Sequence, residues 1–245
     1  MQDKATAGEA SSCRPAAELS RTKVLACATV IEEILPILPP QVRYQILDFG
    51  LHTRPGELKR VLQEAIDQSG ADSDFVLLGY GLCSLAVVGL EARNCTLVIP
   101  RSDDCIGLFL GSRDAYRKQA RLEPGTYYLT KGWIEVGDSP FSRHQHLVER
   151  YGEPRASRMI QFMLKNYKRL AFINTGQYEI EQYREHARKT SEQFGLRFEE
   201  IDGAPDLMRK LILGPWDGEF LVVPPGNVIR YEDFSTVPQA APSHG

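Results

Sequence analysis

Residues 77–90 read LLGYGLCSLAVVGL, and the fold turns on that stretch. Residues 76–79 are apolar or small, the pattern of a strand buried on both faces. Gly79 and Gly81 then permit a tight turn, and the apolar run 84–90 predicts a short helix. Cys83 sits at the joint between the two. In an open α/β sheet such a joint, at the carboxyl end of a strand, is where ligands bind.

Working outward, the same unit recurs. KVLACATV (23–30) predicts a strand running into a helix that Pro39 and Pro40 close, and VRYQILDFG (42–50) predicts a second strand. Pro55 opens an amphipathic helix with Leu58, Leu62, Ala65 and Ile66 on one face. CTLVIP (95–100) is a strand, and 101–120 reads as one helix with Ser102 or Asp103 as N-cap. Residues 124–145, rich in Gly, Tyr and Trp, read as a functional loop. Two helices follow, the second opened by Pro154. Strands are then expected within 169–176, 196–203 and 219–229, with helices between them.

Strands alternating with helices predict an α/β fold: a parallel sheet with flanking helices, Rossmann-like. The last three strands either complete that sheet or form a second lobe with a cleft between the two. The expected boundaries are a disordered arm at 1–22, a first lobe at 23–125 and an irregular loop with helices at 126–167. A second lobe at 168–234 and a disordered tail at 235–245 complete the chain.

With 245 residues, 42% hydrophobic and 25% charged, the chain has the composition of a globular protein with a real core. A net charge of −3 argues against a nucleic-acid or membrane-surface partner, which would need a clustered positive field. No window approaches a membrane span, and the first residues carry no apolar signal core. Five cysteines, an odd count without an export signal, predict reduced thiols and a cytoplasmic location.

Cys27, Cys83 and Cys105 each follow a predicted strand and open a predicted helix. Parallel strands bring such ends to one edge, so the three thiols are expected to converge. A helix N-terminus lowers a thiol pKa, and the thiolate is the form that ligates metals. Three converging thiolates repel unless a cation lies between them. This points to zinc or an iron–sulfur cluster held by three protein ligands, with a coordination position open for reaction. For any single cysteine, simple packing as a small hydrophobe is the commoner role. Cys95 begins a strand and reads as core, and Cys13 falls in the arm.

Other residues compete for roles on the same edge. His52 follows the second strand and is a candidate base, although a lone histidine is more often only hydrogen-bonded. Asp104 stands beside Cys105 as a candidate acid or base, and its neighbour Asp103 is as readily a plain helix cap. Arg101 could hold an anion or simply sit in a surface ion pair. Glu32, one turn after Cys27, reads as an exposed helix carboxylate. Trp133 and Gly132 in TKGWIE are expected to cover the site, with Glu135 nearby as acid or base. Gly79, Tyr80 and Gly81 are expected to wrap the ligand. GYGLCS only superficially matches a dinucleotide loop, because Ser84 replaces the third glycine. It is not a hydrolase elbow either, since Leu85 stands where the second glycine belongs.

LACATVIEE, LHTRPGELKRVLQEAID, LLGYGLCS, VIPRSDDCIGLFLGS, GTYYLTKGWIE and VVPPGNVI occur in order from Lys23 to Ile229. Together they resemble the DUF1638 family of bacteria and archaea. By position the resemblance singles out Cys27, His52, Gly79, Tyr80, Gly81, Cys83, Arg101, Asp104, Cys105, Gly111, Gly132 and Trp133. It also implies an association with corrinoid-dependent methyl transfer, with a corrinoid as a further ligand and a corrinoid protein or methyltransferase as partner. The leading expectation is therefore a metal- or cluster-binding protein of one-carbon chemistry acting on a small molecule. The alternatives are a metal-free enzyme with Cys83 or Cys105 as nucleophile and His52 as base, and a ligand-binding module without turnover.

Overall fold

A computed structural model describes residues 14–137 and 139–235. Most of the expected arm and tail, with Cys13 and His244, lies outside the described residues. The arm gives way to order earlier than expected. Helix α1 (Ala16–Ser20) precedes the first strand, and the Arg14 guanidinium stacks over Phe75 and Trp216 at 4.5 and 4.4 Å.

The first half alternates β1 (Thr22–Cys27), α2 (Ala28–Ile34), β2 (Arg43–Leu47), α3 (Pro55–Ser69) and β3 (Phe75–Gly79). A two-residue strand, β4 (Glu91–Ala92), and β5 (Thr96–Pro100) follow. Strands β1, β3 and β5 are almost wholly buried, as expected for continuous apolar runs covered on both faces. Leu25, Leu77, Leu78 and Leu97 are each fully buried, a contribution of about 2 kcal/mol apiece.

Two helices occupy the stretch expected to be one. α4 (Ile106–Phe109) stops at Gly111, whose φ of 81° is left-handed, and Ser112 caps the restart as α5 (Arg113–Leu122). The expected loop is also structured. It contains β6 (Thr126–Leu129), α6 (Lys131–Val136) capped by Thr130, and α7 (Pro140–Tyr151) capped by Ser139. The chain continues through α8 (Glu153–Leu164), β7 (Arg169–Asn174), α9 (Glu181–Gln193) and β8 (Arg197–Asp202). It closes with α10 (Asp206–Leu213), β9 (Phe220–Val223) and β10 (Asn227–Val228).

The larger sheet has the order β2-β1-β3-β5-β9, parallel except for β9, which runs antiparallel to β5. The smaller sheet is β6-β7-β8, all parallel. The last three strands thus divide between the sheets. β7 and β8 join β6, while β9 returns to the larger sheet, so 168–234 is not one continuous lobe. β10 pairs only with β4. Trp133 packs against the apolar clusters of both sheets.

The strand order places the candidate edge. From β1 the chain moves to β2 on one side, then returns through α3 to β3 on the other side. The order reverses between β1 and β3, and ligands in open α/β sheets bind outside the carboxyl ends of strands at such a reversal. Cys27 ends β1, and Gly79 ends β3 one register step away.

Candidate functional site

A cavity of about 620 Å³ opens at this reversal. Cys27, Cys83 and Cys105 all line it, so the three strand-end cysteines do meet on one edge. Cys95 is buried away from it, as expected of a core thiol.

Each thiol arrives by a different local device. Cys27 is the N-cap residue of α2 and shares a 3.2 Å hydrogen bond with the Thr29 hydroxyl. Cys83 lies in a short 3-10 turn, Cys83–Leu85, in place of the predicted helix. Cys83 and Leu85 have φ of 43° and 69°, a left-handed strain that a helix would not tolerate. Cys105 precedes α4, and the neighbouring Asp104 carboxylate accepts from the Ile106 N–H at 2.8 Å. Asp104, not Ser102 or Asp103, therefore serves that helix start.

Of the two glycines expected to wrap a ligand, Gly79 lines the cavity and Gly81 does not, and both let the backbone close on itself. A Cβ on Gly81 would stand 2.6 Å from the Asp104 carbonyl oxygen and 2.7 Å from that of Ser102. This contact, with the Leu82 N–H donating to Ser102 at 2.9 Å, brings the Cys83 turn against the Cys105 turn. A Cβ on Gly79 would meet Ala26 at 2.6 Å. Gly132 likewise lets α6 lie on Thr29, which delivers Trp133 to the cavity wall.

The electrostatics reverse the expectation for the thiols. Burial pushes the Cys27 thiol up, outweighing the Thr29 hydroxyl and the N–H groups that open α2. Cys83 is pushed up to about 12, chiefly by burial. Cys105 is held well above its ordinary value by burial and by the charges that Cys83 and Cys27 would carry. Helices this short offer too little at their N-termini to offset that desolvation. Tyr80 joins the group: it is 4% exposed, its hydroxyl has no hydrogen-bond partner among the described residues, and burial followed by the three thiols raises its pKa.

Asp104 also lines the cavity. Its second carboxylate oxygen accepts from the Tyr116 hydroxyl at 3.1 Å, and burial raises its pKa. Tyr116 and Tyr128 meet edge to face, with centroids 6.1 Å apart. Neither tyrosine was picked out from the sequence. The signal for Tyr128 was the alternation in TYYL: Tyr128 packs toward the larger core and Tyr127 toward the smaller, as successive strand residues must. His52 reaches the rim, but its ring bonds the Phe49 carbonyl and stacks on Phe49 at 4.3 Å.

Two expected site residues lie elsewhere. Arg101 is 6% exposed and turns to β9, donating to the Phe220 carbonyl at 3.1 Å. Glu135 is exposed, bonding the Tyr183 hydroxyl at 2.6 Å and Lys131 at 3.0 Å, and it does not line the cavity. Glu32 pairs with the same lysine. The reason is helical geometry: Trp133 and Glu135 are two residues apart on α6, so they point to different faces.

Among the described residues, no group of three or more His, Cys, Asp or Glu side chains is arranged to hold a metal ion. The expected ligand set shares a cavity but is not a preformed cage. No helix among the described residues is long and apolar enough to cross a membrane.

No curated protein and no solved structure matches the chain. One family does, over residues 46–212, and its description is "Protein of unknown function (DUF1638)". The match takes in Cys83 and Cys105 and leaves Cys27 outside, a narrower span than the motifs from Lys23 to Ile229 suggested. Since it covers more than half of the sequence, the chain belongs to the DUF1638 family.

Proposed function

We propose that the cavity is a soft-metal site of a transferase, with Cys27, Cys83 and Cys105 holding zinc or an iron–sulfur cluster. The observation that carries the reading is the convergence of three half-buried thiols, from three adjacent strand ends, on one cavity at the sheet's order reversal. The donor chemistry fits. Buried thiols with raised pKa values are poor nucleophiles on their own, and a bound cation is what deprotonates them. Ligation requires the Cys27 thiol to turn from Thr29. A metal there would act as a Lewis acid that activates a bound thiolate.

The reaction class we favour is one-carbon transfer linked to a corrinoid, with a small molecule as substrate and a corrinoid protein or methyltransferase as partner, in the cytoplasm. Within it, Tyr80 and Asp104 are the groups able to move a proton, and Trp133 and Tyr128 exclude water. The metal-free alternative is less well supported. It needs a base on a thiol, and no histidine among the described residues hydrogen-bonds one; His52 is engaged with Phe49.

The test is elemental analysis of protein purified without oxygen, with Cys27→Ser, Cys83→Ser and Cys105→Ser prepared alongside. The expected result is about one equivalent of zinc or one cluster per chain, lost in each variant. Wild-type protein that carries no metal and takes up none from excess zinc or iron overturns the reading. Loss in the Cys83 and Cys105 variants alone would reduce the ligand set to two cysteines and remove Cys27 from it.

A further inference from the structure

We infer that the cavity takes a small organic cation, an alkylated ammonium or sulfonium, seated between Tyr116, Tyr128 and Tyr80 against the Asp104 carboxylate. The inference rests on the reading of this cavity as the functional site, but not on the metal.

The lining is one-sided in charge. Asp48, Asp104 and Glu123 contribute to it, Glu123 being ion-paired with Arg197 at 3.1 Å, and no lysine or arginine lines it among the described residues. The arginine expected there, Arg101, faces β9 instead. The buried cation behind Tyr128, Arg169, is already paired with Glu199 at 3.1 Å. A phosphate or carboxylate entering this space would meet like charge and find no guanidinium or ammonium to hold it. Anionic substrates are thereby disfavoured.

The walls supply what a cation needs. Tyr116 and Tyr128 stand edge to face at an interplanar angle of 62°, making an aromatic corner. Ring faces carry negative potential, and a corner of them attracts an alkylated cation, whose charge is spread over its methyl groups and whose hydration is weak. Asp104 sits at this corner, held by the Tyr116 hydroxyl and the Ile106 N–H. The Tyr80 hydroxyl, buried on the same cavity and without a partner among the described residues, is a polar group left for a ligand to satisfy.

Isothermal titration separates charge from shape when choline is compared with 3,3-dimethyl-1-butanol, in which a carbon replaces the nitrogen. Choline should bind at least about tenfold more tightly than the neutral alcohol. Asp104→Asn and Tyr128→Leu should each weaken choline by about tenfold, while Tyr128→Phe, which keeps the ring face, should leave it within about twofold. Equal binding of the two probes, or binding of neither, overturns the inference. Metal content is measured on the same preparations. Selective choline binding without metal sinks the metal reading alone; metal without choline selectivity sinks this inference alone.

Discussion

The molecule builds two parallel sheet edges from the same strand-to-helix unit and uses them differently. At the larger sheet the strand order reverses between β1 and β3, and a cavity opens there. In the smaller sheet the order β6-β7-β8 follows the chain without reversal. Polar groups follow the same division. Beyond β7 and β8, Asn174 bonds Glu200 at 3.0 Å, and Arg184 pairs with Glu200 at 2.5 Å. Gln177 bonds Glu33 at 2.7 Å, and Tyr178 bonds the same carboxylate. Those groups satisfy one another and tie the smaller sheet to α2. Beyond β1, β3 and β5, in contrast, the Tyr80 hydroxyl has no partner among the described residues, and three thiols face one cavity. Shared architecture does not make an edge a candidate site; a topological reversal together with polar groups left unpaired does.

The sharpest way to break this comparison is to place a methyl group at the turn of each edge. Gly81→Ala drives a Cβ into the backbone of Ser102 and Asp104, which no side-chain rotation relieves. It should cost about 3 kcal/mol in chemical denaturation and separate Cys83 from Cys105. Gly176→Ala, after β7, meets nothing within 4 Å and incurs only the strain of its φ of 71°, about 1 kcal/mol. Equal losses would mean that the two cysteine-bearing turns are not pressed together.

A second contrast is one of titration. Glu33 is 1% exposed, and burial raises its pKa above the ordinary 4.5 in spite of the bonds from Tyr178 and Gln177. The folded state therefore holds this proton more tightly than the unfolded chain. Below pH 4.5 both states are protonated, and Glu33 adds no pH dependence. From pH 4.5 up to the raised value, stability falls with a slope of at most about 1.4 kcal/mol per pH unit. Arg184 and its partners act in the opposite direction, since its hydrogen bonds lower the pKa of Glu200. Glu33→Gln should remove only the first effect, so the variant gains on wild type as pH rises through that window. Parallel stability profiles would show that the Glu33 carboxyl is not desolvated.

Much of the larger sheet was legible in the sequence, because continuous apolar strands and a periodic helix at 55–69 each satisfy one template. The edge location of the three cysteines followed from the same pattern. What could not be read came from contacts distant in sequence. The run 84–90 is as apolar as a buried helix, yet the chain is held in a turn, with the Gly89 N–H donating to Ile229 at 2.7 Å. The pairing of β9 with β5 depends on which edge is free, which no local pattern states. The thiol pKa shifts also escaped, since helix N-termini can be seen in a sequence while the depth of burial around Cys83 and Cys105 cannot. The tyrosine corner combines residues from α5 and β6, and β6 was hidden inside an apparent loop.

The smallest expected effect concerns the acid that sequence reasoning placed at the site. TKGWIE puts Glu135 two residues from Trp133, and one helical turn suffices to send one to the cavity and the other to the surface. There Glu135 accepts from Tyr183 and Lys131, and those bonds hold its carboxyl below the usual range. Exposed pairs of this kind are worth little, so Glu135→Ala should change stability by about 0.5 kcal/mol or less. Choline affinity and metal content should stay at wild-type values. Trp133→Ala, on the cavity side of the same helix, should weaken choline binding or metal retention while Glu135→Ala does not. A tenfold loss of ligand in Glu135→Ala would extend the functional edge across α6 to the smaller sheet. The division between an open edge and a self-satisfied one would then fail.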